Sequence, residues 1–272
     1  MKKTFKCRGT ILILFLTMFL LDCSRVPITG RRQLNLLPDS EVMALASQQY
    51  SEFLTQNQVI AGTSEDQMVQ QVGSNIARAV EKYFAQQGKK DVLEGYKWEF
   101  KLVKDAQINA FALPGGKVVV YTGLLDVATT PAELAVVLSH EIAHAVAEHG
   151  SEKMSQELVT QLGGVALSTA LRNQPQLTQQ LFMASYGAGS QVGVLLPFSR
   201  KMESEADHLG LDFMAMAGYN PQVAVGFWQK MAQKAQGGGV PEFLSTHPAD
   251  QTRIKNIQQQ LPEAMKYYHP GS

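Results

Sequence analysis

The spacing of apolar residues changes several times along the chain, and each change marks an expected element. Ile11 to Leu21 is apolar apart from Thr17 and follows Lys2, Lys3, Lys6 and Arg8. As a helix this run covers roughly 16 Å, half of a bilayer's hydrocarbon core, so it reads as an export leader over residues 1–22, not as a membrane span. Residues 24–39, with Pro27, Gly30 and Pro38, show no periodicity and read as an extended tether ending at a helix start. From Ser40 to Phe53, positions Val42, Leu45, Ala46, Gln49 and Phe53 recur at helical spacing, and a second helix is expected from Glu65 to about Phe84. A charged loop at 88–95 precedes Tyr96–Val103, which alternates as a strand does. Ala110–Tyr121 reads as a hairpin turning at Pro114-Gly115-Gly116.

The strongest helical pattern runs from Thr130 to about Leu162, with Thr130 as N-cap, Pro131 at the first position and Glu133 closing a capping box. Residues 163–198 are rich in Gly, Ala and Gln and read as two loosely specified helices or a mobile flap. Helices are expected again at Ser199–Ala217, from Asn220-Pro221 to about Gln236, and, past the break at Gly237-Gly238-Gly239, at Ala249–Gln260. No repeat or shift of composition marks a second folded unit. The pattern therefore predicts one α+β domain, mostly α with a small sheet, over residues 40–272, after the leader and a tether at 23–39.

Composition narrows the chemistry. Of 272 residues, 45% are hydrophobic and 18% charged, as in a folded globular protein. Lys plus Arg and Asp plus Glu are 24 each, with no dense basic run, so no nucleic-acid partner is expected. Cys7 and Cys23 are the two cysteines, so any metal or hydrolytic site beyond them must use His, Asp, Glu, Ser or Lys. Leu20-Leu21-Asp22-Cys23 resembles a lipoprotein signal in which Cys23 is acylated, giving a membrane anchor. Ser24 after that cysteine favours the periplasmic face of the outer membrane. Asp22 stands where such signals usually carry Gly, Ala or Ser, which leaves an uncleaved hydrophobic anchor as the alternative.

His140-Glu141-Ile142-Ala143-His144 carries the chemistry. Two histidines four apart share one helix face and can reach one Zn²⁺, while Glu141 beside that face can polarise a metal-bound water and carry its proton to a leaving amine. Zinc lowers the pKa of such a water toward about 7. A metzincin continuation would need Gly at 147 and His at 150, where the chain has Ala147 and Gly150. His149 lies about 140° around a continuous helix from His144 and reads as a solvated or capping histidine. In SRKMESEADHLGLDFM (199–214), Glu203 and Asp207 share a face, with Glu205 about 160° away from Glu203. Glu203 toward the metal, with Asp207 accepting a hydrogen bond from a ligand histidine, would complete the set.

Four segments together, NAFALPGGKVVVYTGLL (109–125), HEIAHAVAEH (140–149), SRKMESEAD (199–207) and STHPADQTRI (245–254), resemble metallopeptidase family 48 in the same order. PITGRRQLNLLP (27–38) resembles the start of its secreted, Oma-like branch. The resemblance implies a zincin (gluzincin) metallopeptidase domain whose edge strand, here Asn109–Leu113, borders the active-site cleft. It also implies one Zn²⁺ per chain on His140, His144 and Glu203, with Glu141 and Asp207 as catalytic carboxylates. His247 would enter the site as transition-state stabiliser or as a reversible fourth ligand; the plainer alternative is a loop histidine before a helix. Beyond the leader there is no apolar run long enough to span a bilayer, about 18 residues. The expected activity is metalloendopeptidase cleavage of unfolded or misassembled envelope polypeptides, which a strand-adding edge would bind with little regard to sequence. The rival is an envelope chaperone or assembly factor with a structural or permanently capped zinc site, against which Glu141 argues. A metal-free interaction lipoprotein is a weaker rival.

Overall fold

A computed structural model of the chain describes residues 23–162, 175–186, 198–236, 241–248 and 251–270. The expected leader at 1–22, the glycine break at 237–239 and most of the expected flap lie outside the described residues. The elements run in the order β1 (Cys23–Arg25), β2 (Arg32–Leu34), α1 (Asp39–Gln56), β3 (Val59–Ile60), α2 (Ser64–Gln86), β4 (Glu99–Val103), β5 (Ala110–Leu113), β6 (Lys117–Tyr121) and α3 (Thr122–Leu125). There follow α4 (Pro131–Val146), α5 (His149–Leu162), α6 (Pro175–Tyr186), α7 (Arg200–Met216), α8 (Val223–Gln236), α9 (Glu242–Thr246) and α10 (Gln251–Ala264). This is the expected α+β domain, mostly helical with a small sheet.

Local chemistry starts the principal helices where the sequence predicts. The Thr63, Thr130 and Ser199 hydroxyls accept the Asp66, Glu133 and Met202 backbone N–H groups, capping α2, α4 and α7. Glu133 reaches back one residue further than a capping box requires, accepting the Thr129 N–H at 2.9 Å. The four-stranded sheet has the order β3-β4-β6-β5, with β4 parallel to β6 and the other two pairs antiparallel. The β5–β6 hairpin turns through Gly115 and Gly116, both at positive φ, where glycine is the residue without a steric cost. Strand β4 is shorter than the alternation suggests, and Tyr96 instead donates its hydroxyl to the Ala145 carbonyl at 2.9 Å.

Both faces of the sheet are covered, and β5 and β6 are accordingly buried at every position. Val118 and Val120 join the core formed with α2 and α4, whereas Val119 and Tyr121 pack with residues of α1, α5 and α6. Helix α4 is buried on every side from Leu134 to Val146. Helix α7 lies against it so closely that a Cβ at Gly210 would stand 3.1 Å from the His140 backbone nitrogen. A larger residue there would push α7, with its carboxylates, away from the histidines.

Two expectations are corrected. The helix expected at 130–162 ends at Val146, and Glu148 turns left-handed (φ 57°) before α5 restarts at His149. For a residue with a Cβ that turn costs on the order of 1–2 kcal/mol, and the one local breaker, Gly150, stands two residues past it. Remote chain imposes it: Glu148 Oε2 accepts Asn35 Nδ2 at 2.7 Å and Gln33 Nε2 at 3.2 Å. The segment expected as an extended tether is correspondingly a two-stranded strap on the domain, β1 paired with β2 and Val26 and Leu37 buried.

Burial raises the Glu148 carboxyl to about 7, with Asp39 adding to the rise and Asn35 opposing it. Its native form thus holds a proton more tightly than the unfolded chain does. The resulting stability is complete below the ordinary carboxylate range and is lost as pH climbs through about 7. Glu148→Gln is expected to remove that component: urea unfolding of metal-free protein should show the parent losing stability relative to the variant from pH 5 to pH 8. Parallel pH profiles would contradict the assignment.

Candidate metal centre

One turn of α4 brings His140 and His144 onto the same face, and the close passage of α7 sets Glu203 and Asp207 opposite them. The Nε2 atoms of His140 and His144 lie 3.0 Å apart. Glu203 Oε1 is 3.2 Å from His144 Nε2, and Glu203 Oε2 is 3.6 Å from His140 Nε2. His247, at the C-terminal end of α9, closes the group: its Nδ1 is 2.8 Å from Glu203 Oε1 and 3.3 Å from His140 Nε2. One potential ligand atom from each of these four buried residues falls within 4.8 Å of all the others.

The outer nitrogens of the two helix histidines are engaged as well. His140 Nδ1 is 3.1 Å from Asp207 Oδ1, the contact expected for that carboxylate. Arg253, on α10, grips Asp207 through Nε at 2.9 Å and Nη2 at 2.8 Å and reaches Glu203 Oε2 through Nη1 at 2.8 Å. Its guanidinium carbon sits 3.5 Å from the Trp228 ring centroid. Burial alone would raise the Asp207 carboxyl, but Arg253 and His140 overrule it and hold the group below the usual carboxylate range. The sequence reading missed Arg253; a basic residue in STHPADQTRI, downstream of a buried acid pair, was the available signal.

His149 is the larger correction. It is fully buried, with Nδ1 2.9 Å from His144 Nδ1 and Nε2 3.0 Å from Glu205 Oε2. The break at Glu148 removes the continuous helix on which a 140° offset was reckoned and swings this imidazole behind His144. Glu205 does lie away from Glu203, and there it meets His149. Burial would raise the Glu205 carboxyl, but His149, Thr29 and Arg31 together bring it down to about 2.

Glu141 turns to the other side, into a cleft lined by Asn109–Ala112, His144, Lys153, Phe198 and His247. Its Oε1 has no hydrogen-bond partner among the described residues and stands 3.5 Å from His247 Nε2. Burial raises this carboxyl, against the pull of His247 and His140. Strand β5 forms the cleft wall and is the sheet's edge beyond β6. Lys153, absent from the sequence reading, packs its ammonium 3.9 Å from the Phe198 ring centroid, and burial pushes it down to about 7 against the pull of Glu203.

Residues 64–261 match the model of peptidase family M48. The chain belongs to that family. Among its relatives, the mitochondrial metalloendopeptidase OMA1 of Schizosaccharomyces pombe is 35% identical over 243 residues, covering 88% of this chain and 66% of its own length. The human metalloendopeptidase OMA1 is 31% identical over 261 residues, 93% of this chain and 49% of its own. The beta-barrel assembly-enhancing protease of Escherichia coli is 30% identical over 169 residues, 59% and 34% respectively. The chain thus spans between about a third and two thirds of the length of these relatives.

In this M48 chain the donor set fits a cation. With His140 donating Nδ1–H to Asp207 and His144 donating Nδ1–H to His149, both Nε2 lone pairs would face each other and the Glu203 carboxylate. Uncompensated, that juxtaposition is repulsive; nitrogen and oxygen donors so arranged suit a divalent ion of the zinc type.

Arg253→Ala would strand the buried Asp207 charge, and a loss of about 3 kcal/mol is expected in urea unfolding of the metal-free protein. Arg253→Lys should recover less than half, since an ammonium cannot grip two carboxylates and stack on Trp228 at once. A loss below about 1 kcal/mol in the alanine variant would contradict this role.

Proposed function

We propose that the chain is a gluzincin-type zinc metalloendopeptidase with one zinc per chain on His140, His144 and Glu203. The observation that carries this reading is the convergence of those three side chains with Glu141 turned into a cleft walled by an edge strand, its Oε1 without a hydrogen-bond partner among the described residues. Zinc, when bound, acts as a Lewis acid that polarises the scissile carbonyl and acidifies water. Glu141 takes the proton from the attacking water and delivers it to the departing amine, acting as base and then acid. Asp207 holds His140 in its ligand tautomer, itself kept ionised by Arg253.

Strand β5 supports a mode of substrate binding in which an extended polypeptide adds to the sheet through main-chain hydrogen bonds, with the scissile bond delivered beside Glu141. Such binding suits unfolded or misassembled polypeptides. The name of the bacterial relatives, beta-barrel assembly-enhancing protease, supports envelope proteins as the substrate class. The basic, apolar leader and Cys23 support an exported protein anchored by lipid at the periplasmic face of the outer membrane. Among the described residues no helix is long and apolar enough to cross a membrane.

The position of His247 supports the fourth-ligand role over that of transition-state stabiliser in this conformation. A four-donor set fills the position that substrate or water needs, so the resting enzyme is latent until His247 withdraws from between Phe198 and Phe243, whose rings it stacks on. The same closed set is what favours the second reading, a chaperone or assembly factor with a structural zinc.

Purified protein should contain zinc in the parent, Glu141→Gln and His247→Ala forms. Casein cleavage is expected to fall at least about 100-fold in Glu141→Gln and to rise several-fold in His247→Ala. Undiminished cleavage by Glu141→Gln would overturn the mechanism; zinc present with no cleavage by either the parent or His247→Ala would favour the structural-zinc reading, and cleavage by the parent that is lost in His247→Ala would return His247 to the transition-state role.

A further inference from the structure

The chain of contacts behind His144 does not end at Glu205. Arg31, in the N-terminal strap, places Nε 2.6 Å from Glu205 Oε2, while Nη1 and Nη2 donate to the two Glu152 oxygens at 3.0 and 2.7 Å. The Thr29 hydroxyl donates to the other Glu205 oxygen. Arg31, Glu152 and Glu205 side chains are 12%, 8% and 7% exposed, so solvent does little to screen the pairs. The strap then continues to the helix break, where Gln33 and Asn35 hold Glu148 and the Leu36 N–H donates to Ser155 Oγ at 3.0 Å.

Every member of the series has a definite role if His144 offers Nε2 to a metal. His144 Nδ1–H then donates to His149 Nδ1, His149 Nε2–H donates to Glu205, and Glu205 is held on its remaining sides by Thr29 and Arg31. Reversing either imidazole would set two N–H groups against each other or leave Glu205 facing a lone pair. Four residues thus fix one tautomer and one ring orientation. Two of them, Thr29 and Arg31, are more than a hundred residues away in sequence.

We infer that the strap is a positioning element of the metal centre: Arg31 and Thr29, acting through Glu205 and His149, set the orientation and basicity of His144. The inference rests on the reading of His144 as a metal ligand. Outer partners of this kind commonly change metal affinity by 10- to 100-fold. The strap also places His149 itself, because the left-handed turn at Glu148 is held by Gln33 and Asn35.

The test is zinc affinity, measured by chelator competition on the full chain, together with the visible spectrum of the cobalt-substituted protein. Arg31→Met is expected to weaken zinc binding about 10-fold and to shift the cobalt bands. Val26→Ala, a buried strap substitution that does not touch Glu205, should leave both unchanged at comparable loss of stability. His149→Gln can still accept from His144 and donate to Glu205, and should bind zinc nearly as well as the parent; His149→Ala should not. This histidine pair decides the matter if Arg31→Met fails to fold. Equal affinity and spectra for Arg31→Met and Val26→Ala, or for the two His149 variants, would overturn the inference. His144→Ala separates the two levels: parent-like affinity in that variant removes the metal-site reading itself, whereas its loss alongside intact Arg31 and His149 variants removes only the role of the strap.

Discussion

A buried charge is tolerable only when it is paired, and this domain buries many of them side by side: His140, Glu141, His144, His149, Glu203, Glu205, Asp207, His247 and Arg253 are all less than a tenth exposed. What allows it is the approach of two helices. Where Gly210 of α7 passes the backbone of His140, nothing intervenes, and the carboxylates of Glu203 and Asp207 reach the imidazoles one turn along α4. Packing therefore comes before chemistry. The apolar surroundings of α4, with Trp228 and Phe243 beside His140, keep water from the far side and make each polar contact inside more consequential.

The site is arranged in two sectors that meet at the α4 histidines. Behind His140 stand Asp207 and Arg253, drawn from α7 and α10; behind His144 stand His149, Glu205 and the strap. The open sector holds Glu141 and strand β5, the parts that line the cleft. Rigidity on one side and access on the other is the usual demand of a hydrolytic site, and here the two are supplied by different stretches of chain. His247, carried at the end of the short helix α9 and stacked between the Phe198 and Phe243 rings, joins the group from a different stretch of chain.

Legibility from sequence followed the range of the interactions. Caps, helical spacing and the hairpin glycines are local, so α2, α7, the β5–β6 turn and the start of α4 were readable to within a residue or two, whereas the C-terminal end of α4 was not. Glu203 and Asp207 were readable because their spacing on one helix is itself geometric, and His247 because its surrounding motif is specific. The break at Glu148 was not: Gly150 is its one local breaker, and the Asn35 side chain that holds Glu148 is 113 positions away. The misreading of His149 followed directly, since its angle was reckoned along a helix that does not continue. The strap was misread for the same reason. A stretch with Pro, Gly and no periodicity looks detached until Arg31 is seen to meet Glu152 and Glu205 across the fold.

The central claim is that one zinc ion ties α4 to α7 between these side chains. Diffraction from crystals of the full chain, recorded on both sides of the zinc absorption edge, tests it most directly. The account predicts a single anomalous peak per chain within bonding distance of His140 Nε2, His144 Nε2 and a Glu203 oxygen. A peak elsewhere, or none from protein supplied with zinc, would contradict it.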